Sequence, residues 1–264
     1  MPLFETFTYL AAGAGAGTLA GLLGVGGGLI IVPILLVLFA HLGYPAHLLT
    51  QLAVGTSLAS IVITGISSTW AHHRHAAVDW LLVRRFALGI MVGAVCGAYL
   101  ATRIDSYVLK KIIGVFALLV SLQIGLQLKP QAVGQLATGL RLNCIAAVIG
   151  LISSLIGIGG GSLTVPYLLW AQQPMRRAVA TSAACGVPIG VAGAVGFMWV
   201  GLDRMDLPAH SIGYVMWPAA LMIAISSTVA AQLGAYLAHT LPVPVIKRVF
   251  AVVLLIVGVR LILN

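Results

Sequence analysis

The sequence predicts an all-α polytopic membrane protein made of two inverted-topology repeats, each a glycine-rich broken or re-entrant helix pair followed by three full spans. Three observations predict it: a composition too apolar for a water-exposed shell, a glycine motif that occurs twice, and an odd number of crossings between the copies. Of 264 residues, 61% are hydrophobic and 7% charged, so lipid is the solvent that suits the surface. Apolar runs at 86–102, 109–128 and 245–263 are long enough to cross a hydrocarbon core of about 30 Å. No stretch is left over for a soluble domain.

The repeat is legible residue by residue. Gly24-Val25-Gly26-Gly27-Gly28 with Pro33 returns as Gly157-Ile158-Gly159-Gly160-Gly161 with Pro166. Ala53-Val54-Gly55-Thr56-Ser57 returns as Ala178-Val179-Ala180-Thr181-Ser182, and Val78-Asp79-Trp80 as Val215-Met216-Trp217. Leu109-Lys110-Lys111 returns as Ile246-Lys247-Arg248. Residues 1–130 are therefore read as one transmembrane unit and 131–264 as its inverted copy within a single membrane domain. Small residues repeat too: Gly89, Gly93 and Gly97 match Ser226, Ala230 and Gly234, and Gly13, Gly17 and Gly21 match Ala146, Gly150 and Ser154. Such ridges let transmembrane helices approach closely, which is the reading adopted for them.

Five apolar segments are expected in the first half, at about 8–23, 29–40, 48–70, 84–102 and 108–127. In the second they fall at about 142–157, 162–171, 178–200, 212–238 and 243–263. The segments flanking each glycine cluster are short and read as half-helices. Such a pair leaves the chain on its starting side, and three spans then carry it across, so the halves are antiparallel. Basic residues near the ends set the orientation. One face collects Arg74, Arg84, Arg85, Lys129, Arg141, Arg176, Arg177, Lys247 and Arg248; the other has Arg103, Lys110, Lys111, Arg204 and Arg260. The richer face is expected to be cytoplasmic, with both termini outside.

The net charge of +9 could suggest a nucleic-acid binder, but the basic residues cap apolar segments, a pattern that points to a bilayer and not to nucleic acid. Glu5 near the start, where a basic region would stand, argues against a cleaved signal peptide. Cys96, Cys144 and Cys185 lie in apolar stretches without C-x-x-C spacing and are expected to be buried free thiols.

Broken helices in lipid leave backbone groups without water or partner, so they are tolerated mainly around a cavity. Two Gly-x-Gly-Gly-Gly clusters therefore predict one, with half-helices starting near Leu29 and Ser162 directing free N–H groups and positive dipole ends into it. That describes an anion site at a repeat interface. The candidate ligands are Gly26, Gly27 and Gly28 with Gly159, Gly160, Gly161 and Ser162, joined by the hydroxyls of Thr56, Ser57, Thr181 and Ser182 and by Gln51. Mid-span hydroxyls also bond the carbonyl one turn back, and that alternative stays open. The cluster His72-His73-Arg74-His75 is read as a solvated loop in preference to a metal site or an anion-gathering vestibule, Trp80 and Trp217 as interfacial anchors, and Cys185 as a neighbour of the path. Glu5, Asp79, Asp105, Asp203 and Asp206 all fall near segment ends, so no mid-membrane carboxylate is expected. P-loop, nucleophile-elbow and H-E-x-x-H patterns are missing, which gives no support to ATP-driven transport or to an enzyme.

These residues resemble the TauE/SafE family of sulfite exporters, the toluene sulfonate uptake permease family. The resemblance is carried by GLLGVGGGLIIVP at 21–33, LIGIGGGSLTVP at 155–166, AVGTS at 53–57, VDW at 78–80 and GVRLIL at the C-terminal end, over essentially the whole chain. It implies a secondary transporter in the cell inner membrane that moves sulfite or an organosulfonate such as sulfoacetate, in the export direction, without a cofactor. A passive anion channel on the same scaffold is the alternative, and a homodimer is left open. Met216 where Asp79 stands, and Ala180 where Gly55 stands, break strict symmetry of the site.

Overall fold

The computed structural model describes residues 3–23, 28–126, 133–240 and 243–263. Helices α1 (Leu3–Leu23) and α2 (Gly28–His41) flank the first glycine cluster and are followed by α3 (Leu49–Arg74), α4 (Trp80–Arg103) and α5 (Ser106–Gly125). Helices α6 (Gly139–Ile156) and α7 (Gly161–Trp170) flank the second and are followed by α8 (Met175–Gly201). Strands β1 (Ser211–Ile212) and β2 (Val215–Met216), then helices α9 (Trp217–Thr240) and α10 (Val243–Leu263), complete the chain. Among the described residues, α3, α4, α5, α6, α8 and the Trp217–Gly234 part of α9 are long and apolar enough to cross a membrane. The fold is an all-α polytopic membrane protein with almost no sheet.

Two expectations need correction. The segments before the glycine clusters are not half-helices: α1 has 21 residues and α6 has 18, and at 1.5 Å rise the shorter is about 27 Å long. Polar residues in their first turns, Glu5 and Arg141, end an apolar run without ending a helix. Only α2, with 14 residues, and α7, with 10, are short. The stretch from 212 is also not helical at first: Ser211↔Met216 and Ile212↔Val215 pair as an antiparallel hairpin, turning at Gly213 with φ of +55°, and the helix begins at Trp217.

Helix surfaces explain the packing. On α4, Leu88, Val92 and Val95 are exposed while Gly89, Gly93 and Gly97 are buried, so large apolar side chains face lipid and small ones face a neighbour. A methyl group at Gly89 would meet the backbone of Asn143, one at Gly93 that of Ala147, and one at Gly97 that of Leu151. The ridge therefore seats α4 on α6. Gly13 and Gly17 seat α1 on α9 in the same way, against Ile223 and Ser227. Helices α3 and α8, the most buried spans, cross in the centre. Cys96 and Cys144 are exposed, and only Cys185 is buried; the apolar context of the first two reflects lipid contact, not a core.

Contacts sort the helix ends into two sets. On one side Thr50 Oγ1 donates to the Ser106 carbonyl at 2.8 Å, Gln51 Nε2 donates to the Ile104 carbonyl at 2.9 Å, and His47 bonds Asp206 at 3.0 Å. On the other, Arg176 donates to the His75 carbonyl at 3.0 Å and Gly134 N–H to the Trp170 carbonyl at 3.0 Å. The latter bond joins the approach to α6 with the end of α7, and Tyr9 of α1 packs edge-on against Phe39 of α2 with ring centres 6.5 Å apart. Each pair thus brings the chain back to where the pair began. Asp79 caps α4 by accepting from Leu82 N–H at 3.1 Å, and Asp105 caps α5 by accepting from Tyr107 N–H at 2.8 Å.

Candidate functional site

The second glycine cluster is built by the end of α6. Gly157 caps that helix with φ of +78°, its own N–H and that of Ile158 returning to the carbonyls of Ser154 and Ser153. A side chain there would be strained by the dihedral and would strike Val32, at 2.7 Å from its Cγ2. The sharp exit lets α7 start at Gly161, where first-turn N–H groups have no partner within the helix. Gly160 lies against α8: an added methyl would sit 2.9 Å from the Ser182 carbonyl oxygen.

Around this point a cavity of about 410 Å³ opens. Its walls are Gly159–Gly161; Ile61, Thr64, Gly65, Ser67, Ser68, Ala71 and His72 of α3; Val179, Ser182, Ala183 and Gly186 of α8; Ser227, Thr228, Ala231 and Gln232 of α9; and Ala20 of α1. The Ser182 and Thr228 hydroxyls are buried with no hydrogen-bond partner among the described residues, a costly state that a polar ligand relieves. The repeat equivalent of Ser182 is Ser57, whose Oγ donates to the Gly157 carbonyl at 2.8 Å. The matching carbonyl in the first half, that of Gly24, lies outside the described residues.

The cavity's lining extends along α3 to His72, at the end of the helix where Arg176 bonds the His75 carbonyl. On its far side, Thr56 Oγ1 accepts the Met216 N–H at 3.0 Å, Gly55 abuts the Tyr214 carbonyl, and Phe197 meets Tyr214 edge-on with centres 6.4 Å apart. The reciprocal bond, Asp79 N–H to Thr181 Oγ1 at 3.1 Å, links the equivalent pair in the other half.

The structure brings only part of the expected constellation together. Gly159, Gly160, Gly161 and Ser182 line the cavity. Gly28 sits beside them, with an added methyl 2.7 Å from the Gly157 carbonyl oxygen, so the two clusters do meet. Gly26 and Gly27 lie outside the described residues. Ser162, in the first turn of α7, is half-buried and is not among the lining residues. Gln51, Thr56, Ser57 and Thr181 are engaged with backbone groups away from the cavity. His72 lines the cavity from within α3, while His73 accepts from Trp80 Nε1 at 3.1 Å. The α9 residues Ser227, Thr228 and Gln232 escaped sequence reasoning; their only signal is polar side chains at helical spacing inside an apolar span.

A larger recess of about 650 Å³ between α1, α2 and α10 is lined almost wholly by apolar side chains, with His41 and Arg260 among them.

Comparison with known proteins agrees with this architecture. Residues 9–261 match the family described as Sulfite exporter TauE/SafE. A "Probable membrane transporter protein" of Haemophilus influenzae is 37% identical over 97% of this chain and 97% of its own length. The "Probable membrane transporter protein YunE" of Bacillus subtilis is 31% identical over 94% of this chain and 93% of its own. A third such protein, from Methanocaldococcus jannaschii, is 30% identical over 83% and 80%. No solved structure gives a significant match. The chain belongs to the TauE/SafE family and is a multi-pass membrane transporter.

Proposed function

We propose that this member of the TauE/SafE family is a secondary transporter that exports a small sulfur-containing oxyanion, sulfite or an organosulfonate such as sulfoacetate, across the cytoplasmic membrane. The observation that carries this reading is the cavity lined by the N-terminus of α7 and by α8 and α9, where the buried Ser182 and Thr228 hydroxyls have no partner among the described residues and no carboxylate is among the lining residues. A helix N-terminus supplies roughly half an elementary charge, and hydrogen bonds to a charged group contribute about 1.5–3 kcal/mol each. Together they offset much of an anion's dehydration while leaving it free to depart. The ligands in this reading are Gly159, Gly160, Gly161 and Ser182, with Ser68, Thr228 and Gln232 added. Gln51, Thr56, Ser57 and Thr181 become scaffold.

Residues 1–130 and 131–264 are read as inverted repeats. The reciprocal bonds Thr56–Met216 and Thr181–Asp79, between positions that correspond in sequence, support that reading. The nine-to-five basic bias supports a cytoplasmic His72 face with both termini outside. In that orientation the cavity faces the compartment from which an exporter loads.

Counterflow in proteoliposomes with sulfite, sulfate, thiosulfate, sulfoacetate and taurine tests the proposal. Saturable counterflow of sulfite or sulfoacetate, with zwitterionic taurine excluded, is expected. Flux that does not saturate would support a passive channel, and no flux of any of the five would contradict the substrate class.

A further inference from the structure

We infer that His72 ties anion binding in this cavity to proton uptake, so that the site takes its ligand together with a proton; the inference rests on reading the cavity as the anion site. Of the residues that line the cavity, His72 alone is titratable near neutral pH, and none is charged. It belongs to a stripe on α3, Ile61, Gly65, Ser68 and His72, that faces the cavity at helical spacing. The ring is half-buried and, unlike that of His73, has no hydrogen bond among the described residues.

From α8, Arg176 lies close enough to His72 to interact electrostatically, as does His75 beyond the end of α3. Arg177 pairs with Asp79 at 3.9 Å, and Asp79 also caps α4, so that carboxylate is already committed. Helices α9 and α1 present only uncharged side chains to the cavity. A protonated His72 therefore has the cationic Arg176 beside it and, among the described residues, no uncommitted carboxylate as counter-charge. A bound oxyanion is that counter-charge, and an oxyanion beside neutral His72 has only dipoles to hold it. Each event favours the other, and the coupling is reciprocal.

The sign follows directly. Ligand binding draws a proton onto His72, so affinity rises as pH falls through its titration, by at most about tenfold per pH unit for one proton. Sulfoacetate is the probe of choice because both its acid groups stay ionised between about pH 6 and pH 8. Calorimetry on the purified full-length protein in detergent, at both pH values and in two buffers of different ionisation enthalpy, reads affinity and protons together. Wild type is expected to weaken tenfold or more from about pH 6 to pH 8 and to take up as much as one proton per anion. His72→Gln should bind weakly at both pH values without proton uptake, His72→Lys should bind at both with little pH dependence, and Ser182→Ala should weaken binding but keep the slope. A wild-type slope retained in His72→Gln, or binding by wild type with no slope and no proton uptake, overturns the inference and leaves the anion site standing. If neither sulfoacetate nor sulfite binds wild type at either pH, the anion reading itself falls, and this inference with it.

Discussion

The C-terminal half of α3 and the half of α8 that corresponds to it in sequence differ in their surroundings: one borders a polar cavity, the wet side, and the other is close-packed, the dry side. Thr64, Ser67, Ser68 and His72 line the cavity, whereas their counterparts Ile189, Ala192, Gly193 and Phe197 are buried in close packing. Gly193 sits against Leu58 and Ser154, and Phe197 closes on Tyr214. Polar side chains line the cavity on the one, and apolar side chains close-pack on the other.

A bulky side chain placed on either side separates the two. Ala183→Phe, into the cavity, should abolish transport while the protein remains monodisperse with an unchanged melting temperature. Ala194→Phe, at a site only 4% exposed, should instead overpack the dry side at a cost of about 1–3 kcal/mol, seen as a lowered melting temperature. If both variants behave alike, the wet and dry assignment is wrong.

Hydroxyls sharpen it further. Ser182→Ala should weaken apparent substrate affinity by about tenfold, equivalent to roughly 1.4 kcal/mol, with stability kept. Thr56→Val should do the reverse, leaving the buried Met216 N–H unpaired at a cost of about 1–3 kcal/mol with affinity little changed. Transport kinetics and thermal unfolding on the same preparations separate the two. On the packing ridge, Gly89→Ala crowds the Asn143 carbonyl and should lower stability without moving affinity. Gly159→Ala, whose nearest neighbour would be Ile61 at 3.6 Å, should fold normally and change transport only modestly.

The smallest effect is expected far from the cavity. Asp206 bonds His47, and that hydrogen bond is the main reason its carboxyl is held below the ordinary carboxylate value. A lowered value means the contact contributes above the unfolded value and is lost as pH falls through the folded one. Because the pair is exposed, Asp206→Asn should leave transport and melting temperature unchanged near neutral pH. Lost transport in that variant would show a carboxylate at work outside the cavity.

Much of the architecture was legible because lipid imposes simple rules. Span-length apolar runs, small-residue ridges and a duplicated glycine motif each have one dominant physical cause, and α4 on α6 and α1 on α9 pack through the glycines named from sequence. The site was legible in part. Gly159–Gly161 and Ser182, named from sequence because a broken helix in lipid needs a cavity, do line one. Thr56 and Thr181 hold backbone N–H groups across the molecule, and in sequence such a hydroxyl looks the same as one that holds an anion. His72 was read as loop because the apolar run ends near Trp70, although the helix continues to Arg74. Which polar residues of α9 face inward depends on its rotation against α1, a tertiary fact.

Ser182 lines the cavity, while its counterpart in sequence, Ser57, is buried and donates to the Gly157 carbonyl. With Cys96, Cys144 and Cys185 replaced, single cysteines at these two positions can be challenged with an impermeant thiol reagent in right-side-out and inside-out vesicles. Ser182→Cys should react from the cytoplasmic side only, more slowly with sulfoacetate present, and Ser57→Cys should stay inert. Equal labelling of both positions, or labelling of Ser182→Cys from the outside alone, would contradict the account.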